Sequence, residues 1–97
     1  MGAGLGVLAL HKAVPNPFSS TLTIHWSVPK LQLVELKVFN TAGQVVNTLA
    51  QGAYKPGIYT TTWRGTDRKG RRLAAGVYFY TLETGDKRLS RKVVLAE

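Results

Sequence analysis

Alternation of apolar and polar side chains with a period of two residues dominates the chain. The clearest run, TLTIHWSV at 21–28, places Leu22, Ile24 and Trp26 on one face and polar side chains on the other. Five further short runs, each bounded by Gly, Pro or Asn, occupy residues 34–40, 45–50, 57–63, 77–83 and 88–96. Short alternating runs at this spacing predict an all-β fold, either an antiparallel sandwich or a barrel.

The same alternation predicts which side chains form the core. The expected core residues are Leu22, Ile24, Trp26, Val34, Leu36, Val38, Trp63, Tyr78, Tyr80 and Leu82. Turns are predicted at NTAGQ (40–44) and at Gly85-Asp86, where the glycine should have positive φ. The proline-rich PNPF segment (15–18) lacks two backbone donors, so it should form a fixed corner at a sheet edge or in a crossing loop.

A short internal similarity links KPGIYTTTW with AAGVYFYTL. In both segments a glycine, Gly57 or Gly76, precedes a β-branched residue and a tyrosine. We expect each glycine to end a loop in a conformation that a Cβ would oppose. The tyrosine two residues later should then enter the core.

Length and composition set the domain organisation. Ninety-seven residues predict one domain, with 10–97 as its body and 1–9 as an N-terminal extension or the lead-in to a first strand. The absence of cysteine excludes disulfides, thiolate zinc sites and cysteine nucleophiles. No apolar run reaches the length of a membrane span, and the opening residues lack a convincing signal-peptide pattern.

Titratable side chains are sparse, and their positions do not converge in the sequence. The five acids are Glu35, Asp67, Glu83, Asp86 and Glu97, and the two histidines are His11 and His25. None of them falls at metal-ligand spacing, and no nucleophile-elbow sequence supports a catalytic set built on Ser19, His25 and Asp67. We therefore expect a protein that is not an enzyme and has no catalytic residues, metal or cofactor.

Basic residues exceed acidic ones by eight, and five of them cluster in one loop. We call residues 64–72 the basic loop; its cations are Arg64, Arg68, Lys69, Arg71 and Arg72. A solvated loop is the favoured interpretation, and contact with an anionic surface is the alternative. Nucleic-acid binding would need stacking aromatics exposed beside the charges, for which Phe39 and Phe79 are the candidates, and it is not expected.

Four motifs in order carry a family resemblance: PNPF, VFNTAGQVV, W-x-G-x-D-x-x-G and GVYFY. Residues 10–97 resemble a type A C-terminal sorting domain of the bacterial type IX secretion system. They are also similar to the immunoglobulin-like domain of the flagellar hook-capping protein. The resemblance implies an immunoglobulin-like antiparallel β-sandwich of seven or eight strands. It further implies a non-catalytic module that directs a larger secreted protein across the outer membrane, by way of the periplasm, to the cell surface.

The resemblance also implies partners and site residues. The expected partners are outer-membrane secretion and sorting proteins, with anionic lipopolysaccharide or glycan as a further partner, and a monomer is expected. The implied export-signal strand comprises Arg91, Lys92, Val93, Val94 and Leu95. The family-motif positions are Pro15, Asn16, Pro17, Phe18, Gly43, Trp63, Gly65, Asp67, Gly70, Gly76, Tyr78 and Tyr80.

Tyr78 also resembles the tyrosine corner of immunoglobulin-like folds. One departure is that the family loop carries acidic and neutral residues where this chain has Arg64, Arg68, Lys69 and Arg72. The cations suggest an acidic partner or an environment of high ionic strength. The alternative function is therefore a structural or spacer module, either packing within a hook-capping-like assembly or binding an anionic glycan.

Overall fold

The computed structural model describes residues 7–97, which form seven β-strands. The strands are β1 (Ala9–Leu10), β2 (Leu22–Val28), β3 (Gln32–Phe39), β4 (Val45–Tyr54), β5 (Gly57–Trp63), β6 (Gly76–Glu83) and β7 (Arg88–Leu95). Across these described residues there is no helix with the length and apolarity that a membrane crossing would require.

The strands form two sheets, in which every pair of neighbouring strands is antiparallel. One sheet has the order β1-β2-β5 and the other has the order β4-β3-β6-β7. The all-β fold predicted from the alternating runs is therefore confirmed, as is the antiparallel sandwich of seven or eight strands that the resemblance implies. Because consecutive residues of a strand point to opposite faces, each sheet turns one apolar face toward the other.

All ten predicted core side chains are buried between the sheets. The core also includes Leu10, Ala13, Phe18, Val28, Val93 and Leu95. Phe18 lies outside the alternating runs, in the proline-rich corner, yet its ring packs 5.4 Å from that of Trp63. Trp63 in turn meets Tyr78 edge-on at 5.6 Å. Three aromatic rings from three separate segments thus join the two sheets at this end of the sandwich.

The hairpin between β6 and β7 has the predicted two-residue turn but a different backbone conformation. The amide of Thr84 donates to the carbonyl of Lys87 at 2.9 Å, with Gly85-Asp86 between them. Gly85 is not among the glycines with positive φ, so that part of the prediction is wrong. The amide of Lys87 instead donates to the hydroxyl of Thr84 at 3.2 Å. A side-chain acceptor thus replaces a backbone one, and the turn does not require a left-handed glycine.

Each of the two similar loop-to-strand segments contains the same kind of hydrogen bond from its tyrosine. The hydroxyl of Tyr78 donates to the carbonyl of Ala74, and that of Tyr59 donates to the carbonyl of Lys55, each four residues earlier. Gly76 has the expected positive φ, at 150°.

Gly57 and Tyr59 differ from what their counterparts in the other segment show. Gly57 has no positive φ, and a Cβ there would make ordinary contact with the Tyr59 ring at 3.5 Å, so its prediction is wrong. Tyr59 is only half-buried: its ring stacks on that of Trp26, with 4.8 Å between the centroids, and lies at the margin of the core.

Candidate functional site

The basic loop is built around the carboxylate of Asp67. One carboxylate oxygen accepts hydrogen bonds from the amides of Lys69 and Arg71, both at 2.9 Å. The other oxygen accepts from the Nε of Arg71 at 3.1 Å. These bonds, led by the Arg71 amide, favour the charged form and hold the pKa of Asp67 below its ordinary value. Gly70, with φ of 82°, closes the turn, because its amide donates a hydrogen bond to the carbonyl of Asp67.

Three neighbours fasten this turn to the sandwich. The indole N–H of Trp63 donates to the carbonyl of Thr66 at 2.9 Å, and the amide side chain of Asn47 donates to the same carbonyl at 2.8 Å. Gly65 has φ of 72° and lies so close to Leu95 that a Cβ would stand 2.9 Å from its Cδ1. In the folded domain the W-x-G-x-D-x-x-G motif is thus a structural frame.

Two of the five loop cations are engaged in holding the loop together. Arg71 pairs with Asp67, while the guanidinium of Arg72 donates to three backbone carbonyls. These carbonyls belong to Arg64, Ser19 and Ala96, at three distant places in the chain. Arg72 therefore acts as a structural clamp, whereas the sequence suggested a solvated loop residue or, as the alternative, contact with an anionic surface. The remaining charge of the loop belongs to the exposed Arg64, Arg68 and Lys69.

The proline-rich corner covers the terminal part of the β7 edge. The amide of Phe18 donates to the carbonyl of Val94 at 3.0 Å, and the amide of Ala96 donates to the carbonyl of Phe18 at 2.7 Å. Beside this short parallel bridge, the side-chain oxygen of Asn16 accepts from the amide of Val94 at 3.0 Å. Backbone groups that an edge strand would leave open are therefore paired, as predicted for a corner at a sheet edge.

The five residues of the implied export-signal strand point in two directions. Arg91, Val93 and Leu95 lie on the inner face of the sheet, and both apolar side chains are almost fully buried, at 0% and 1% exposure. The Nε of Arg91 crosses to the other sheet and donates to the carbonyl of Leu10 at 2.6 Å. In the folded domain only Lys92 and Val94 present side chains outward.

Tyr80 joins the strand next to β7 to the first segment of the chain. Its hydroxyl donates to the carbonyl of His11 at 2.9 Å and accepts from the amide of Ala13 at 2.8 Å. Burial raises the pKa of the Tyr80 phenol, because an apolar environment disfavours the phenolate. Tyr80 is thus a neutral hydrogen-bonding anchor in the core.

The acids of the four-stranded sheet are engaged in surface ion pairs. Lys37 lies between Glu35 at 3.0 Å and Glu83 at 3.3 Å, and Glu83 also meets Arg88 at 3.3 Å. The hydrogen bond with Glu35 is the main cause that raises the pKa of Lys37. Among residues 7–97, no three His, Asp or Glu side chains converge as a metal site would require.

The two aromatics considered for stacking lie side by side on a surface. Phe39 and Phe79 are cross-strand partners on the outer face of the four-stranded sheet, and both are half-buried. They belong to strands β3 and β6, whereas the basic loop follows β5 of the other sheet.

Comparison with known protein families gives a match over residues 18–87 to the FlgD Ig-like domain. The chain belongs to this family. The immunoglobulin-like fold class and the hook-capping side of the resemblance are therefore confirmed. The matched segment begins at Phe18 and ends at Lys87, so it contains the W-x-G-x-D-x-x-G frame but not β7.

A crystal structure of dimeric latent PorU from Porphyromonas gingivalis contains a similar fold. The similarity covers 96% of this chain at 15% sequence identity, with a TM-score of 0.69. The chain corresponds to only 10% of the length of that PorU chain. At this identity the likeness concerns the fold alone. No curated protein sequence matches the chain.

Proposed function

We propose that this immunoglobulin-like domain is a non-catalytic C-terminal module. It directs a larger secreted bacterial protein through type IX secretion and to attachment at the cell surface. The observation that carries the proposal is the arrangement at β7. Its inner side chains belong to the core, while Lys92 and Val94 lie outward beside the corner that covers the strand edge. Export proteins would therefore recognise a folded surface at the end of the sandwich rather than an extended tail.

Two further observations support this assignment. The motif order resembles that of sorting domains from PNPF to the last strand. The fold is also similar to one in dimeric latent PorU from Porphyromonas gingivalis, so an immunoglobulin-like sandwich of this shape occurs within a much longer bacterial chain. On this proposal the domain passes through the periplasm, meets the outer-membrane sorting proteins and needs no cofactor.

The test separates recognition from folding. Removing Arg91 to Glu97 would delete Val93 and Leu95 from the core, so loss of export could simply report unfolding. The sharper variant is Lys92→Glu/Val94→Glu, which changes only the outward side chains of the implied signal strand. Its matched control, Lys87→Glu/Ser90→Glu, makes the same changes in charge at exposed positions nearer the hairpin.

Each full-length chain is fused to a secreted reporter in a bacterium with type IX secretion, and its thermal unfolding is measured in purified form. We expect the Lys92/Val94 variant to keep its fold but retain the reporter in the periplasm, while the control is exported. Export of a folded Lys92/Val94 variant at the wild-type level would contradict the proposal.

A second candidate function is contact with an anionic glycan. It rests on Arg64, Arg68 and Lys69, which remain exposed at one loop after Arg71 and Arg72 are engaged in the loop frame. This contact is compatible with sorting, because a cell-surface module would meet anionic polysaccharide after export.

A further inference from the structure

The two edge strands of the four-stranded sheet differ in charge. One is formed by β7, which contains Arg88, Arg91 and Lys92 and is partly covered by the proline-rich corner. The other is formed by β4, which has no charged side chain in its ten residues. Within residues 7–97, β4 pairs only with β3, so its outer side carries backbone groups without a partner strand. An uncharged edge of this kind is suited to pairing with another strand.

The neighbouring strand extends the same uncharged surface. β5 lies at the edge of the other sheet and also has no charged residue. From Val45 to Trp63 the one charged residue is Lys55, in a chain whose net charge is +8. This stretch of chain is therefore nearly free of charge, and the charged residues of β3 beside it, Glu35 and Lys37, form an ion pair.

We propose that two copies of the chain associate through antiparallel pairing of β4 with β4 about a twofold axis. Copies of a molecule with a charge of +8 repel each other wherever their cationic surfaces meet. The β4 edge lets backbone N–H and C=O groups pair without bringing cations together, and a twofold axis makes the contact self-complementary. This proposal departs from the monomer expected from the sequence, because the β4 edge becomes evident only once the strand order is known.

The register of β4 places the pairing in its second half. Irregularities in the β3–β4 ladder lie opposite Leu36/Lys37 and Val38/Phe39, whereas Ala50–Tyr54 pairs with β3 without a register shift, its one unusual backbone angle being the φ of 139° at Gly52. A regular segment offers evenly spaced groups to a second strand, whereas a bulge twists the edge away. The twofold axis would therefore pass near Gly52.

This geometry keeps the two basic loops apart. Asn47 binds the carbonyls of Thr66 and Asp67, so the loop lies five residues from Gly52 along β4. At about 3.4 Å per residue each loop is roughly 17 Å from the axis, and the pair is roughly 34 Å apart. That separation exceeds the Debye length of about 8 Å at physiological ionic strength. A parallel arrangement would instead bring the two loops together.

The contact is small, since it involves one short strand from each copy. Interfaces below about 1,200 Å² belong to weak and transient complexes. We expect a dimer that forms with rising concentration between about 10 μM and 1 mM, and that strengthens when added salt screens the repulsion between the copies.

Sedimentation equilibrium of the full chain at low and high NaCl tests this inference. The disrupting variant is Gln51→Lys/Ala53→Lys, because it places lysines opposite each other across the twofold axis. The control, Thr41→Lys/Ala42→Lys, adds the same charge to exposed positions of the β3–β4 turn. Thermal unfolding verifies that both variants are folded.

We expect the Gln51/Ala53 variant to weaken dimerisation at least tenfold and the control to change it less than threefold at high salt. A wild-type chain that stays monomeric at about 1 mM in both salts would overturn the proposal. Equal effects of the two variants, or association that weakens with salt, would overturn it as well. None of these results depends on export.

Discussion

Two turns of the molecule have the same backbone frame and different side chains. In residues 40–44 and 67–71, the first side-chain oxygen accepts from the amides two and four residues later, at 3.0 Å in the former and 2.9 Å in the latter. The fourth residue of each is a glycine with φ of 82°. The middle residues are Thr41-Ala42 in one turn and Arg68-Lys69 in the other. The frame therefore needs the first residue and the glycine, and it does not require the cations at the two middle positions.

The two turns also differ in what lies around them. A Cβ at Gly43 or at Gly70 would meet no atom within 4 Å, so each turn protrudes at its tip. Only the second turn has a base that belongs to the core, where Gly65 contacts Leu95 and Trp63 bonds to Thr66. The same local motif is thus a simple hairpin turn in one place and part of the packing around the last strand in the other.

The largest expected effect comes from substituting the glycine at the base of the second turn. Gly65→Ala combines a left-handed φ with a Cβ placed 2.9 Å from Leu95, and we expect it to cost about 3 kcal/mol. Gly70→Ala has only the conformational penalty and should cost about 1–2 kcal/mol. Denaturant unfolding measures both. Equal losses would show that the contact with Leu95 contributes nothing to the difference between the turns.

A second change replaces the middle residues of the 67–71 turn with those of the 40–44 turn. Arg68→Thr/Lys69→Ala should leave the free energy of unfolding nearly unchanged, because the frame does not use these side chains. It should weaken binding to dextran sulfate at low salt by roughly thirtyfold, at about 1 kcal/mol for each cation near an anionic surface.

The control for this change removes the same charge elsewhere. Lys30→Gln/Lys55→Gln alters two exposed lysines outside the basic loop. If both double variants lowered the affinity equally, binding would follow net charge alone and the glycan contact would have no defined site. Isothermal titration calorimetry gives the affinities.

Sequence predicts those parts of the molecule in which neighbouring residues determine the conformation. Alternation identified all ten expected core residues, because each strand shows its buried face within a few positions. Phe18 was missed as a core residue because the prolines around it interrupt any period. Val93 and Leu95 belong to the implied export-signal strand, and their alternation with Lys92 and Val94 indicates that they form its inward face.

Hydrogen bonds between segments that are distant in the chain cannot be predicted from local sequence patterns. The guanidinium of Arg72 binds carbonyls of Arg64, Ser19 and Ala96, which no local pattern brings together. The asparagine of PNPF likewise pairs with Val94 from the opposite end of the chain. Such side chains resemble surface residues until the sheet order is known, so in the sequence Arg72 cannot be distinguished from the exposed cations beside it.

The smallest expected effect is a pH dependence of stability. The carboxylate of Asp67 should give it to one turn, whereas the amide of Asn40 gives none to the other. Because the folded pKa of Asp67 lies below its ordinary value of 3.8, the folded state binds this proton less readily than the unfolded chain. Its contribution to stability is therefore fully present above about pH 4 and is lost as the pH falls through the folded pKa.

Asp67→Asn removes this dependence, since its side-chain oxygen can still accept both amides, as that of Asn40 does. The stability difference between wild type and Asp67→Asn should therefore shrink between pH 5 and pH 2, as measured by thermal unfolding of both chains. Comparing the two chains cancels the contributions of all the other ionisable groups, which they share. A difference that stays constant with pH would mean that Asp67 has the same pKa in the folded and unfolded chain, so that its charge, including the pairing with Arg71, contributes no net stability.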